Sequence, residues 1–491
     1  VIDESSPCSS ITTDTAHTGD EMNHRTLRRR AAAAAVVSIG FIAASAAAGV
    51  NAGAETPELG FTPITTNALS CSETGYISFA NDPLGKAIVP KVLMSAGDPA
   101  TPINAPATSN KVGAENDMIA LSPDGRYLFT SSEAGSSDGI TRLTLKGPKK
   151  GTKEILAANY SATGANLWSR IDGMNWYPFG GPRGLGVLLG GEEFATGGIW
   201  QINPDTGAFV RLDWIGSFAH EGIAITPTGT MYIGDESRTG GIYKAVPNDP
   251  TDLTKGGSLY YLVPTSVDAS GWKLVVNPAK AASEAVLDGV LFDRPEDFEA
   301  NAGRVYFTVT EPQADADLQK PAGGQVVNRG GIYSFSASGV PELSAGDTTT
   351  KLTPMIEVND PKYTSQAEAQ AQQGLQFPDN IAFDNEGNLW VHEDIPDGSS
   401  FPASGIDVSK QARNQQDELY VFVLNKTGNA IKANPSTTGP AASGGYKAAD
   451  MRTSPAATPC QNEFTGGIFK GDTLYINQQH AENSTLKIEL D

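Results

Sequence analysis

The sequence predicts an all-β fold, a six-bladed β-propeller preceded by an irregular wrapping extension, and three observations lead there. One strand-turn-strand pattern recurs six times between residues 115 and 491. Glycine (53) and proline (31) are abundant while charged residues make up only 19%, a composition of tight turns rather than long helices. No long helix pattern appears. Units of a few strands that cannot each bury both faces stack well around an axis, and radial closure protects their edges.

The first 54 residues read as upstream residues plus an export signal that is removed. From Met22, MNHRTLRRR is basic, AAAAAVVSIGFIAASAAAGV is apolar, and the small residues Ala52-Gly53-Ala54 suit cleavage. A membrane anchor is the alternative, but the run holds few large apolar side chains and a small-x-small site follows it. Arg28-Arg29-Arg30 is compatible with twin-arginine export. The mature chain is therefore expected without a membrane span, as a monomer that is secreted, periplasmic or held at the cell envelope. Residues 55–114, rich in Pro, Thr, Ala and Asn, predict the extension, with a strand at Tyr76–Phe79. Cys71 and Cys460 lie near the two ends of the mature chain; export permits a disulfide, and two unpaired thiols are the other reading.

The propeller is expected over 115–491. Its units begin at Asn116-Asp117 with MIALSPDGRYLFTSSE, at GLGVLLGGEE ending on Glu192-Glu193, and at His220-Glu221 with GIAITPTGTMYIGDE. The others are Arg294-Pro295-Glu296-Asp297 with FEANAGRVYFTVTE, then FPDNIAFDNEGNLWVHED, then NEFTGGIFKGDTLYINQQH. Five or seven blades stay open at this stage, because the second unit is irregular and 135–180 has room for further strands.

Asp117, Glu221, Glu296, Asp379 and Glu463 stand just ahead of the first strand of their units. In a propeller such positions converge on the mouth of the central channel. Carboxylates gathered in a ring repel and raise one another's pKa unless cations or shared protons neutralise them. An all-oxygen ligand set favours hard ions, Ca²⁺ first. The plainer alternative is that each acid caps a turn, which suits Pro-Asp-Asn and Ser-Pro-Asp-Gly. His220, His392 and His480, the three histidines beyond residue 54, all fall at strand starts or ends of units. Arg294 is the cation best placed to meet an anion at the mouth, since a guanidinium grips phosphate oxygens in pairs; an ion pair with its neighbouring acids is the alternative.

The formal charge of −21 argues against a nucleic-acid partner, which needs a cationic surface. Phosphate-loop and His-Glu-x-x-His patterns are absent, no convincing Gly-x-Ser-x-Gly elbow is present, and two distant cysteines exclude a thiolate zinc site.

HEGIAITPTGTMYIGDESRTGGIYK, Arg-Pro-Glu-Asp at 294–297, FPDNIAFDNEGNLWVHED and FTGGIFKGDTLYINQQH together resemble the exported alkaline phosphatases of the PhoX type, over most of 110–485. The resemblance implies a propeller that holds calcium and iron through carboxylates and one cysteine and hydrolyses small phosphate monoesters. It implies metal ligands at Glu193, Glu221, Glu296 and Asp379, with Asp235 and Glu236 at the corresponding strand end, and Arg294 on the substrate; the ring adds Asp117 to the candidate ligands, and its motif position adds His220 to the candidate substrate contacts. Aligned without gaps, PFGGPRGLGVLLGGEE puts Pro178 where the family has its cysteine, which leaves Fe³⁺ in question and Ca²⁺ as the expected cofactor; Asp172 or Glu192 are candidates to substitute with an oxygen. Two other functions compete. PDNIAFDNEGNLWV is also similar to calcium-dependent lactonase or arylesterase propellers, in which Asn380 would be a ligand, and a secreted binding propeller stabilised by calcium needs no chemistry at all.

Overall fold

Short runs rich in Val, Ile, Tyr and Phe, punctuated by turns of the Pro-Asp-Gly kind, form the strands that the repeat predicts. In the computed structural model they make six sheets arranged as a six-bladed β-propeller. The structure describes residues 61–62, 78–105, 109–133, 139–158, 168, 170–266, 269–310, 325–327, 330–337, 355–357, 375, 377–394, 418–424, 446–450, 462–480 and 483–490. All of them belong to one unit, Pro57–Asp491. The expected export signal, Cys71 and Cys460 lie outside the described residues.

The innermost strands of blades 1 to 6 are Asn116–Leu121, Ile171–Tyr177, His220–Ile225, Pro295–Asn301, Pro378–Phe383 and Asn462–Lys470. Each touches the next, and the sixth touches the first. Blade 2 therefore starts earlier than GLGVLLGGEE, which is its second strand, Val187–Glu192. Segment 135–180 holds the strands Gly139–Thr144 and Lys153–Ala158, which complete blade 1, before Ile171–Tyr177 opens blade 2.

Residues 78–104 wrap the ring by adding strands to it. Ser78–Phe79 pairs with blade 5, Lys91–Ser95 with blade 6, and Thr101–Asn104 runs parallel to the outer strand of blade 1. Blade 6 thus combines the C-terminal strands with an N-terminal one, closing the ring through the sheet and covering an edge.

Aromatic side chains fill the spaces between blades. Phe292, Phe307 and Tyr333 pack between blades 3 and 4, and fully buried Trp390 contacts Phe61, Phe79 and Phe469. Nearer the axis, polar side chains tie neighbours together. Asn175 donates to Ile223 O at 2.8 Å, Asp297 Oδ2 accepts from Ile381 N at 2.9 Å, and Thr465 donates to Asn116 O at 2.9 Å. A Cβ on Gly222 would fall 2.2 Å from Asp297 Oδ1, so only glycine lets blades 3 and 4 approach.

Candidate active site

The backbone that presents the site repeats from blade to blade. In the inner strands of blades 1 to 5 the register breaks at Asn116/Ile119, Ile171/Met174, His220/Ile223, Pro295/Phe298 and Pro378/Ile381. Asp117, Asp172, Glu221, Glu296 and Asp379 each lie inside that irregularity, and a β-bulge re-aims the side chain it carries. Two residues earlier, Glu115, Arg170, Arg294 and Phe377 hold left-handed φ values of 49°, 35°, 50° and 41°. The carbonyl at this earlier position accepts the N–H of the residue that closes the hairpin. Glu133, Glu193, Glu236, Thr310 and Asp394 donate to Glu115, Arg170, Ala219, Arg294 and Phe377 at 2.9, 3.1, 3.1, 3.2 and 3.0 Å. An entering acid and a closing residue are thereby brought side by side in each blade.

Among the described residues these acids meet in three triads, Asp117/Glu133/Asp172, Glu221/Glu236/Glu296 and Asp379/Asp394/Glu463, whose ligand atoms lie within 4.8 Å of one another. Each triad takes the entering and closing acids of an odd-numbered blade and the entering acid of the next. Burial pushes Asp117, Asp172, Glu221, Glu296 and Asp379 well above the usual carboxylate range, and like charges add to it. Asp117 feels Glu133, Glu221, Glu463 and Asp379, so the triads share one field. Glu193 is pushed up to about 12 by burial and then by Glu236 and Glu133. Burial raises Glu133 as well, but hydrogen bonding with Asp172 and the Arg170 charge bring it below the ordinary value.

Two arginines face this charge. Arg294 Nη2 lies 2.8 Å from Glu236 Oε1, its Nε 3.0 Å from Glu296 Oε1, and Asp394 stands 3.9 Å away. Burial would lower its pKa, but Glu296, Glu236 and Asp394 hold it well above the usual value. Arg170 Nη2 lies 2.9 Å from Glu133 Oε2 and also contacts Glu193.

A family model described as alkaline phosphatase PhoX matches residues 197–482. The chain belongs to the PhoX family. The structure of Pseudomonas fluorescens PhoX in complex with vanadate, a transition state analogue, superposes with a TM-score of 0.53 at 16% identity, over 87% of this chain and 97% of that one. The PQQ-bound aldose sugar dehydrogenase of Streptomyces coelicolor gives 0.39 at 15% identity, over 82% and 98%. A calcium structure of a Trichoderma reesei carbohydrate-active enzyme of family AA12 gives 0.41 at 10%, over 87% and 100%. No curated protein matches in sequence.

Within this PhoX-family propeller, Asp117 lies in the first triad, Glu221 and Glu296 in the second, and Asp379 and Glu463 in the third. Asp172, Glu133, Glu236 and Asp394 join them. Glu193 closes blade 2 and contacts Arg170, with Glu236 hydrogen-bonded beside it. Asp235 does not enter a triad: its Oδ1 accepts from Ser237 Oγ at 2.7 Å, and burial lifts its pKa to about 6. Glu192 likewise turns away, accepting from Gly198 N at 2.9 Å. His220 is fully buried with its ring 3.8 Å from Phe218, burial holds its pKa down at about 3, and neither nitrogen joins an acidic group. Pro178 is exposed in the turn after Ile171–Tyr177, at the opposite end of that strand from Asp172. This hairpin is longer than its counterparts: Glu193 follows Asp172 by 21 positions, whereas closing acids follow entering ones by 15 or 16 in blades 1, 3 and 5. Asp172 is the entering residue of blade 2.

The donor set fits a hard cation. Asp117 Oδ1, Asp172 Oδ1 and Glu221 Oε2 are buried with no hydrogen-bond partner among the described residues, and the all-oxygen triads to which they belong suit a hard divalent cation.

Proposed function

We infer that the protein is an exported, calcium-dependent phosphatase that hydrolyses small phosphate monoesters at the carboxylate hub. The observation that carries this reading is the gathering of three carboxylate triads with Arg294 bridging the second and the third. Membership of the PhoX family supports the reaction class. Among the described residues no helix is long and apolar enough to cross a membrane.

Asp117, Glu133 and Asp172 would hold one cation, Glu221, Glu236 and Glu296 a second, and Asp379, Asp394 and Glu463 a third. Bound cations supply positive charge that polarises the phosphoryl oxygens and stabilises the leaving oxygen. Arg294 offers paired N–H donors to the phosphoryl group, and its left-handed backbone holds it at the junction of blades 3, 4 and 5. Thr310, whose hydroxyl donates to Glu296 Oε1, fixes the orientation of that carboxylate. The position of His220 against Phe218 supports a packing role for it. Asn380 Oδ1 accepts from Gly466 N at 2.5 Å, which ties it into the contact between blades 5 and 6.

The test is release of phosphate from p-nitrophenyl phosphate by the mature protein, with and without chelator. Calcium-dependent release that Glu296→Gln reduces by a hundredfold or more at unchanged folding supports the reading. Hydrolysis of a lactone in place of the ester would replace it.

A further inference from the structure

Arg170 occupies the same place in blade 2 that Arg294 occupies in blade 4. Both stand two residues ahead of the entering acid, both have left-handed φ, and both give their carbonyl to the N–H of the closing residue. The repeat itself imposes this backbone, since Glu115 and Phe377 adopt it too. A left-handed non-glycine residue costs on the order of 1–2 kcal/mol. What the sequence adds is an arginine at two of the four positions.

The two guanidiniums are linked. Arg170 Nη2 contacts Glu193, Glu193 is hydrogen-bonded to Glu236, and Glu236 Oε1 accepts from Arg294 Nη2 and Nε at 2.8 and 3.1 Å. Two cations are therefore held a carboxylate pair apart on one rim. They differ in access: the Arg294 side chain is 25% exposed and engaged through Nε and Nη2, whereas Arg170 is 45% exposed and meets both its acids through Nη2 alone. Among the described residues no hydrogen bond engages Nε or Nη1 of Arg170, which suits them as donors for a ligand.

We propose that Arg170 forms a second anion subsite, so that the preferred substrates are phosphate monoesters whose leaving group carries another anionic group, a carboxylate or a second phosphate, a few bonds from the ester. The inference rests on the phosphatase reading above and names its substrate class. With the phosphoryl group on Arg294, the second anion docks on the open edge of Arg170. Guanidinium geometry suits both anions.

The test compares kcat/KM of the calcium-loaded protein for phosphoglycolate, ethylene glycol bisphosphate and ethyl phosphate, in wild type, Arg170→Gln and Arg170→Lys. The wild type is expected to favour both dianionic esters over ethyl phosphate by about tenfold or more. Arg170→Gln should abolish that ratio and Arg170→Lys should leave part of it. A wild-type ratio near one, or a ratio unchanged by Arg170→Gln, overturns the subsite; should Arg170→Gln fail to fold, an unchanged ratio in Arg170→Lys does the same. If no ester is hydrolysed, the phosphatase reading fails on its own. Calorimetric binding of phosphoglycolate and ethyl phosphate then decides the subsite: tighter phosphoglycolate binding lost in the variants supports it, and equal binding overturns it.

Discussion

Gln479 Nε2 donates to Asp117 Oδ2 across 3.3 Å, so the last blade closes on the first through the acidic hub itself. Where blades 1, 2, 3 and 5 supply a closing acid, blade 6 supplies an amide that donates to one. Gln479→Leu should remove a buried hydrogen bond to a carboxyl and lower stability by about 1–3 kcal/mol, measured by urea unfolding. A variant as stable as the wild type would show that the closure does not draw on this contact.

The metal-free protein should lose stability as pH rises. Folded pKa values of Asp117, Asp172, Glu221, Glu296 and Asp379 lie well above the usual range, and that of Glu193 is about 12. A carboxyl raised on folding contributes stability below its unfolded pKa of about 4 and loses it as pH climbs through the folded value. The buried histidines His220 and His392, both held near 3, act oppositely but only below about 6.5, and are neutral in both states above pH 7. Melting temperature in EGTA should therefore fall between pH 7 and pH 9, and calcium at a hundred times its Kd should restore about 2.7 kcal/mol. A flat melting profile in EGTA would contradict the shared field of the triads.

Asp172 and Pro178 separate the two alignments of blade 2. Asp172→Asn should weaken cation binding and cut phosphate release by about tenfold or more, because it removes an anionic oxygen from a triad. Pro178→Ala should leave both within about twofold, as an exposed turn residue remote from the acids. Calcium titration followed by assay reads both; the reverse pattern would restore Pro178 to the site.

Arg294→Lys keeps a charge but loses the planar fork that meets Glu236 and Glu296. It should reduce kcat on p-nitrophenyl phosphate by about 10²–10³ while the melting temperature changes little. Near-full activity in this variant would remove Arg294 from the substrate.

The period of the repeat made the ring of Asp117, Glu221, Glu296, Asp379 and Glu463 legible, because one turn and one strand length recur in those blades. Asp172 was legible only as a substitute oxygen ligand and not as the entering acid of blade 2, because the Pro178–Gly186 turn is longer and Ile171–Tyr177 carries no apolar run as clear as Met118–Leu121. The choice between Asp235 and Glu236 was not open to sequence, since neighbouring strand residues face opposite sides and both are acids. Only the Glu236 N–H to Ala219 carbonyl bond identifies the closing position. His220 gave a motif-like signal from its place beside Glu221, yet strand alternation sends its ring to Phe218.

Calcium content and phosphatase rate measured on the same sample test the central claim most directly. Protein dialysed against EGTA until calcium falls below about a tenth of an equivalent should lose about 90% or more of its rate on p-nitrophenyl phosphate, and stoichiometric calcium should restore it. Full hydrolysis by protein stripped of its cations would contradict the claim that the gathered carboxylates work by holding them.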